Sequence, residues 1–341
     1  MRIPVLVTVL LATALTAFGQ ASNPLPTQSS LTEAQNLLRQ GKNAEAFAIL
    51  QQLAAMQPPV EGVQHALGVA YYRTGKLVEA QKAFDIAIKE DPSDLESVQM
   101  QGLTLYRLGR PTEAIPYLTR VHQWMPNANA DSNYVLGLCY MTASRYDDSR
   151  AAFATGFGVD PESASAYLLL ASMLMNANLP EFAAQQAAKA VQISPSLPLA
   201  HFLLGEVYLF KSDIEHATLE FEQERRINPG YAATYDRLGD VYTRTGNLQE
   251  AQESLTKAIS LDRSSTGPFI QMGKVLLRRD DPQTAILYLQ HAEKMDPGNF
   301  ITHTLLAQAY RKIGQEDEAK RETDLASRIH SDNELKLQPI Q

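Results

Sequence analysis

The sequence predicts an all-α fold, a solenoid of stacked helix–turn–helix hairpins, and three observations carry that reading. Small residues recur at a fixed interval: Ala34, Gly68, Gly102, Gly137, Ala171, Gly205, Gly239, Gly273 and Ala307, with seven steps of 34 residues and one of 35. Within each unit, apolar residues fall at helical separations in two runs, as at Leu67, Ala70 and Tyr71 and then at Ala80, Phe84, Ala87 and Ile88. Between the two runs stands a turn former: Gly41, Gly75, Gly109, Ser144, Asn178, Ser212, Gly246, Asp280 and Gly314. A period of this length means supersecondary units that bury their apolar faces against their neighbours.

The elements follow in order. After Arg2 the chain carries no charge from Ile3 to Ala21, and the apolar run ends in Gly19, Gln20 and Ala21. A run of about 14 apolar residues is short for a bilayer. The layout predicts a signal peptide over residues 1–21, hence an exported protein, periplasmic or secreted from a bacterium. An uncleaved segment would be the one route to membrane attachment. Residues 22–26, with Pro24 and Pro26, read as a linker.

Nine units then occupy 27–60, 61–94, 95–128, 130–163, 164–197, 198–231, 232–265, 266–299 and 300–333, with 334–341 as a C-terminal tail. In each, the turn residue sits where a helix end needs left-handed backbone, which Gly and Asn tolerate. Pro111, Pro180 and Pro282 follow closely, where a first helical turn accepts proline. A proline at the thirty-second position (Pro58, Pro92, Pro126, Pro161, Pro195, Pro229, Pro297) stops the second helix, with Arg263 and Ser331 in its place in the seventh and ninth units. Eighteen helices are expected. The small residue at position 8 and Ala or Ser at position 20 (Ala80, Ser149, Ala217) are expected to be the contact between paired helices, where a larger side chain would overpack.

Four units depart from the pattern. The fourth follows the one-residue insertion near Asn129, carries Ser149 at position 20, and places Gly156 and Gly158 in its second helix; a soft point is expected there. Pro116 should kink or delay the second helix of the third unit. The ninth unit has a polar second helix and the first has Glu33 in place of an apolar residue, so both read as caps.

These positions together resemble the tetratricopeptide repeat family, whose 34-residue pattern matches Leu67, Gly68, Tyr71, Ala80, Phe84, Ala87 and Pro92 in the second unit. The resemblance covers nearly all of the chain after residue 26. It implies a right-handed superhelical solenoid and a protein-binding role. The first helix of every repeat would line the concave wall. Partner contacts would come from positions 2, 5, 6, 9, 12 and 13 of each repeat. Those positions give Tyr72 and Tyr106 in repeats two and three. They give Tyr134, Leu138, Met141, Leu168, Met175, Phe202 and Phe210 in repeats four to six, and Asp236, Asp240, Lys274 and Arg278 in repeats seven and eight. No Lys stands at position 5, so the carboxylate clamp of the chaperone-binding relatives is not expected. Arg39, Arg73, Arg107, Arg244 and Arg278 at position 13 read either as a basic ladder or, preferably, as counter-charges at the ends of the first helices, with Lys312 in the same role.

Chemistry is sparse. The net charge of -8 argues against a nucleic-acid partner. Cys139 is the one cysteine, without a disulfide mate, in an apolar stretch. The seven histidines form no pair at metal-binding spacing on one helix, and His201 and His303 take a packing position. Gly156 and Gly158 lack a third glycine and a preceding strand for a dinucleotide fingerprint. No catalytic residue, metal or cofactor is expected. The sequence reads as a non-catalytic scaffold binding a peptide or partner segment. A substrate-recruiting subunit of an envelope enzyme complex and a self-assembling array are the alternatives.

Overall fold

A computed structural model of the chain describes residues 27–125 and 130–337. The expected signal peptide, the linker, the insertion near Asn129 and residues 338–341 lie outside the described residues. Those residues hold eighteen α-helices and no strand. Two compact units divide the chain after Gly109.

The first unit holds α1 (Thr27–Arg39), α2 (Asn43–Ala54), α3 (Val63–Arg73), α4 (Leu77–Glu90) and α5 (Leu95–Arg107). The second opens with α6 (Pro111–Trp124), α7 (Ala130–Thr142), α8 (Tyr146–Phe157), α9 (Ala164–Asn176) and α10 (Pro180–Ile193). It continues with α11 (Ala200–Phe210), α12 (Ile214–Ile227), α13 (Ala232–Thr245) and α14 (Leu248–Leu261), and ends with α15 (Gly267–Arg278), α16 (Pro282–Met295), α17 (Phe300–Lys312) and α18 (Glu316–Leu337). Inside each unit the odd helix of a repeat packs on the even helix that follows, and that even helix packs on the next odd one. Neighbouring odd helices also touch, as α1 with α3, α9 with α11 and α13 with α15.

All nine anticipated turn residues have positive φ, from 58° at Ser144 and Asn178 to 85° at Gly246. Each lets the amide that follows fold back onto the preceding helix, as when Lys76 N–H donates to the Tyr71 carbonyl at 2.9 Å.

The crossing within each hairpin differs in one respect from the expectation. A Cβ added at Gly68 would stand 2.5 Å from the Phe84 ring, and one at Gly205 would stand 2.6 Å from Phe221. Gly137 meets Phe153 in the same way, and Gly239 and Gly273 meet Leu255 and Leu289. The position-8 glycine therefore makes room for the large residue at position 24. Position 20 is also at the crossing: the buried Ser149 hydroxyl donates to the Gly137 carbonyl at 2.8 Å.

Three further expectations are corrected. Gly158 lies outside α8: it caps the helix at φ 69°, with Val159 N–H donating to the Ala154 carbonyl, so only Gly156 is a helical glycine. Pro116 does not delay α6, which starts at Pro111 and runs through it. The expected tail from residue 334 is helical as far as Leu337, because Ser331 replaces the helix-stopping proline and nothing in Glu316–Leu337 ends the turn-to-turn bonding.

Candidate binding groove

The odd helices α9 and α11 form a depression of about 410 Å³. Along α9, Leu168, Ser172 and Met175 fall at i, i+4 and i+7 and so share one face. From α11 come Phe202, Leu203 and Glu206; Leu199, before α11, and Tyr231, before α13, complete the rim. The Phe202 ring is held edge-on to Tyr231 at 5.2 Å and tilted on Phe221 at 5.7 Å. The floor is therefore fixed by packing, and Leu199, 39% exposed, reaches solvent.

Leu199 is held in an unusual way. Its φ is +72°, a left-handed conformation that disfavours a leucine. Its N–H donates to Glu224 Oε1 at 2.9 Å, and Phe202 N–H reaches Oε2 of the same carboxylate at 3.4 Å. Glu224 is fully buried on α12. A carboxylate at a helix N-terminus satisfies unpaired amides and faces the positive end of the helix dipole. The gain at the α11 terminus holds the strained leucine at the groove edge.

Beyond Glu206 the surface turns polar. Arg237 on α13 grips the Glu206 carboxylate through Nε at 2.6 Å and Nη2 at 3.2 Å. Asp236 accepts from Gln271 Nε2 at 2.9 Å, and Asp240 pairs with Arg244 at 2.8 Å. Burial pushes the Asp236 carboxyl above its ordinary range, against the pull of Arg237 and helped by Asp240 and Glu206.

None of the thirteen residues picked from the sequence is buried. The structure gathers Leu168, Met175 and Phe202 into the groove. Leu138 and Met141 are half-buried against the core of repeats four and five. Tyr134 lies with its ring 5.5 Å from Phe153, and Phe210 is 58% exposed on the last turn of α11. Asp236 and Asp240 join the polar network, and Lys274 is exposed on α15. In the first unit, Tyr72 is covered by the Arg107 guanidinium at 4.5 Å, and Tyr106 is half-buried. Leu199, Ser172 and Glu206 were missed although they hold positions 2 and 9 of the repeat, which the register had marked. Tyr231, at position 34, had no such signal.

Three of the position-13 arginines serve the helix before their own, whereas Arg39 bonds Asn36 and Arg244 bonds Asp240 on their own helices. Arg73 donates to the Leu38 carbonyl, Arg107 to that of Tyr72 at 3.3 Å, and Arg278 to that of Thr243. Each acceptor is in the last turn of the preceding repeat's odd helix. Lys312 instead pairs with the Asp280 carboxylate at 2.6 Å. The Cys139 thiol is buried and pushed up to about 12 by desolvation, which leaves it without thiolate reactivity near neutral pH.

Profiles described as tetratricopeptide repeat match residues 37–101, 105–174 and 276–337, and a second profile of that description matches 232–265. The chain belongs to the tetratricopeptide repeat family. Tetratricopeptide repeat proteins are in general non-enzymatic interaction modules. Among solved structures the chain is similar to YrrB, described as a TPR protein with an unusual peptide-binding site, at 24% identity over 52% of this chain and 92% of that one, with a TM-score of 0.46. It is similar to MamA from Desulfovibrio magneticus RS-1 at 15% identity, covering 50% of this chain and 96% of that one, with a TM-score of 0.46. A chain of the APC/C hetero-tetramer Cut9-Hcn1 is similar at 18% identity over 84% of this chain and 57% of its own length, again with a TM-score of 0.46. A comparison with the curated proteins found no match.

Proposed function

We propose that this tetratricopeptide repeat chain is a non-catalytic scaffold that seats a segment of a partner protein on its odd-numbered helices, with the α9–α11 groove as the main anchor. The groove itself is the observation that carries the reading. It offers aliphatic and aromatic side chains with a polar rim of Ser172, Asn176 and Glu206. Apolar surface rimmed by polar groups marks an interaction site. Its size suits one or two apolar side chains of an extended or helical segment. Tyr134, Leu138, Met141 and Phe210 extend the apolar surface. Asp236, Asp240, Lys274 and Arg278 supply a polar end, and Tyr72 and Tyr106 a smaller surface in the first unit. The charge-free run from Ile3 to Ala21 supports export, and so a partner in the envelope or outside the cell.

Panning a random peptide display library on the purified chain tests the groove. Phe202 leans on Phe221 and Tyr231, so its replacement would mix binding with stability. Met175→Glu and Leu199→Asn are cleaner. An enriched peptide is expected to bind each variant at least ten-fold more weakly, and to bind Leu287→Glu, on the even helix α16, as well as the parent. No enrichment, or equal affinity for all variants, removes the proposal. Export is read from the mass of the chain recovered from cells, which should lack the leading residues; a full-length mass contradicts it.

A further inference from the structure

We propose that Glu293, His303 and Glu322, on α16, α17 and α18, form a site for a divalent transition-metal ion. One ligand atom from each of the three lies within 4.8 Å of the others, and no other such group occurs among the described residues. His303 is 1% exposed. Its Nε2 donates to the Pro297 carbonyl at 3.0 Å, which leaves Nδ1 facing the Glu322 carboxylate at 2.7 Å. A histidine oriented by a bond from one ring nitrogen to a backbone carbonyl is arranged as metal-ligating histidines are.

The chain contains its own comparison. Three repeats earlier, His201 has the same two neighbours: Glu220 at 2.6 Å on Nδ1 and the Pro195 carbonyl at 3.0 Å on Nε2. Val191 stands there in the register of Glu293. The packing device of histidine, carboxylate and carbonyl is therefore complete without a carboxylate in that register; the other acid near His201, Glu224, is engaged by the Leu199 and Phe202 amides. Glu293 is an addition to it. It is half-buried and makes no hydrogen bond or ion pair among the described residues. Two carboxylates this close disfavour each other's charge, and one imidazolium can balance only one of them. A divalent cation turns both into favourable partners.

The donor set selects the ion. One imidazole nitrogen and two carboxylate oxygens suit zinc and its first-row neighbours better than magnesium or calcium, which take oxygen ligands. Zinc bonds of about 2.0–2.2 Å put tetrahedral ligand atoms roughly 3.4 Å apart. Glu322 must draw back slightly from His303 and Glu293 must move in; water would fill the fourth position. The ion displaces the Nδ1 proton, so binding releases a proton and tightens as pH rises.

Calorimetric titration of the untagged, purified chain with zinc chloride tests the site. One ion per chain is expected, bound at least ten-fold more weakly by Glu293→Val, which removes the third donor and puts there the residue that holds this register beside His201. Val191→Glu should create a second site with His201 and Glu220 and raise the stoichiometry to two. A parent chain that takes up no zinc overturns the proposal, as does equal binding by Glu293→Val. A stoichiometry still at one in Val191→Glu contradicts it independently of how the first variant folds.

Discussion

His201 stands between two acceptors, the Glu220 carboxylate and the Pro195 carbonyl, so each ring nitrogen can bond only by carrying a hydrogen. The folded chain therefore favours the imidazolium. Its pKa is raised, first by the hydrogen bond to Glu220 and further by the charges of Glu220 and Glu224, against the desolvation of its buried ring. A raised folded pKa gives stability that is fully present below the ordinary histidine value of about 6.5 and is lost as pH climbs through the folded value. The destabilisation caused by His201→Asn should accordingly be largest near pH 6 and shrink above neutrality. Chemical denaturation at a series of pH values reads this directly. A penalty that is flat or grows with pH would show that the ring is held neutral.

At the scale of the element, the hairpin turns are where conformation decides most. Ser212 sits at φ +62° in the turn between α11 and α12. A left-handed L-residue costs about 1–2 kcal/mol, while glycine there costs about 0.4–1 kcal/mol through the freer unfolded chain. Ser212→Gly should stabilise the protein by roughly 0.5–1 kcal/mol, and a measured loss would mean that the serine hydroxyl is bonded in a way the turn does not require. These turns were legible from sequence because backbone sterics act locally: all nine turn residues take the predicted conformation. The end of α18 was not legible. A stop at residue 333 was inferred from the repeat length, whereas the helix runs on because Ser331 cannot break it as proline does. Gly158 was misplaced for a related reason: glycine can end a helix as readily as weaken one, and only the backbone angle tells the two apart. The arginines at position 13 could be seen as helix-end charges, but not that Arg73, Arg107 and Arg278 reach back to the preceding repeat, since that depends on how odd helices stack.

Across the whole molecule, the repeat register fixed which helix faces meet but not which side chains. Leu168, Met175 and Phe202 were named from their positions, and they do converge. Leu199 escaped because its exposure follows from a strained backbone pinned by Glu224, an acid buried 25 residues away in sequence. The group of Glu293, His303 and Glu322 escaped because its three side chains come from three helices, and a search for metal spacing along one helix cannot see it. The small-residue pattern is better explained by the structure than by the sequence alone. Glycine at position 8 faces Phe84, Phe153, Phe221, Leu255 or Leu289, whereas the fifth repeat has Ala171 beside the small Ala187. That crossing is filled by two small side chains, whereas in the first repeat Ala34 shares its core with the large Leu50, so glycine at position 8 goes with a large position-24 side chain but is not required by every one.

The seating of a large position-24 side chain against a position-8 glycine is the central claim, because it is what lets those hairpins close. A double-mutant cycle on Gly205 and Phe221, followed by chemical denaturation, tests it most directly. Gly205→Ala alone should cost about 1–3 kcal/mol by overpacking against the ring, and Phe221→Ala alone about 3–5 kcal/mol. In the Phe221→Ala background the added methyl should cost nothing or stabilise, a coupling of at least about 1 kcal/mol. If the two losses simply add, the position-8 glycine is not there to seat the position-24 side chain, and this account of the repeat is wrong.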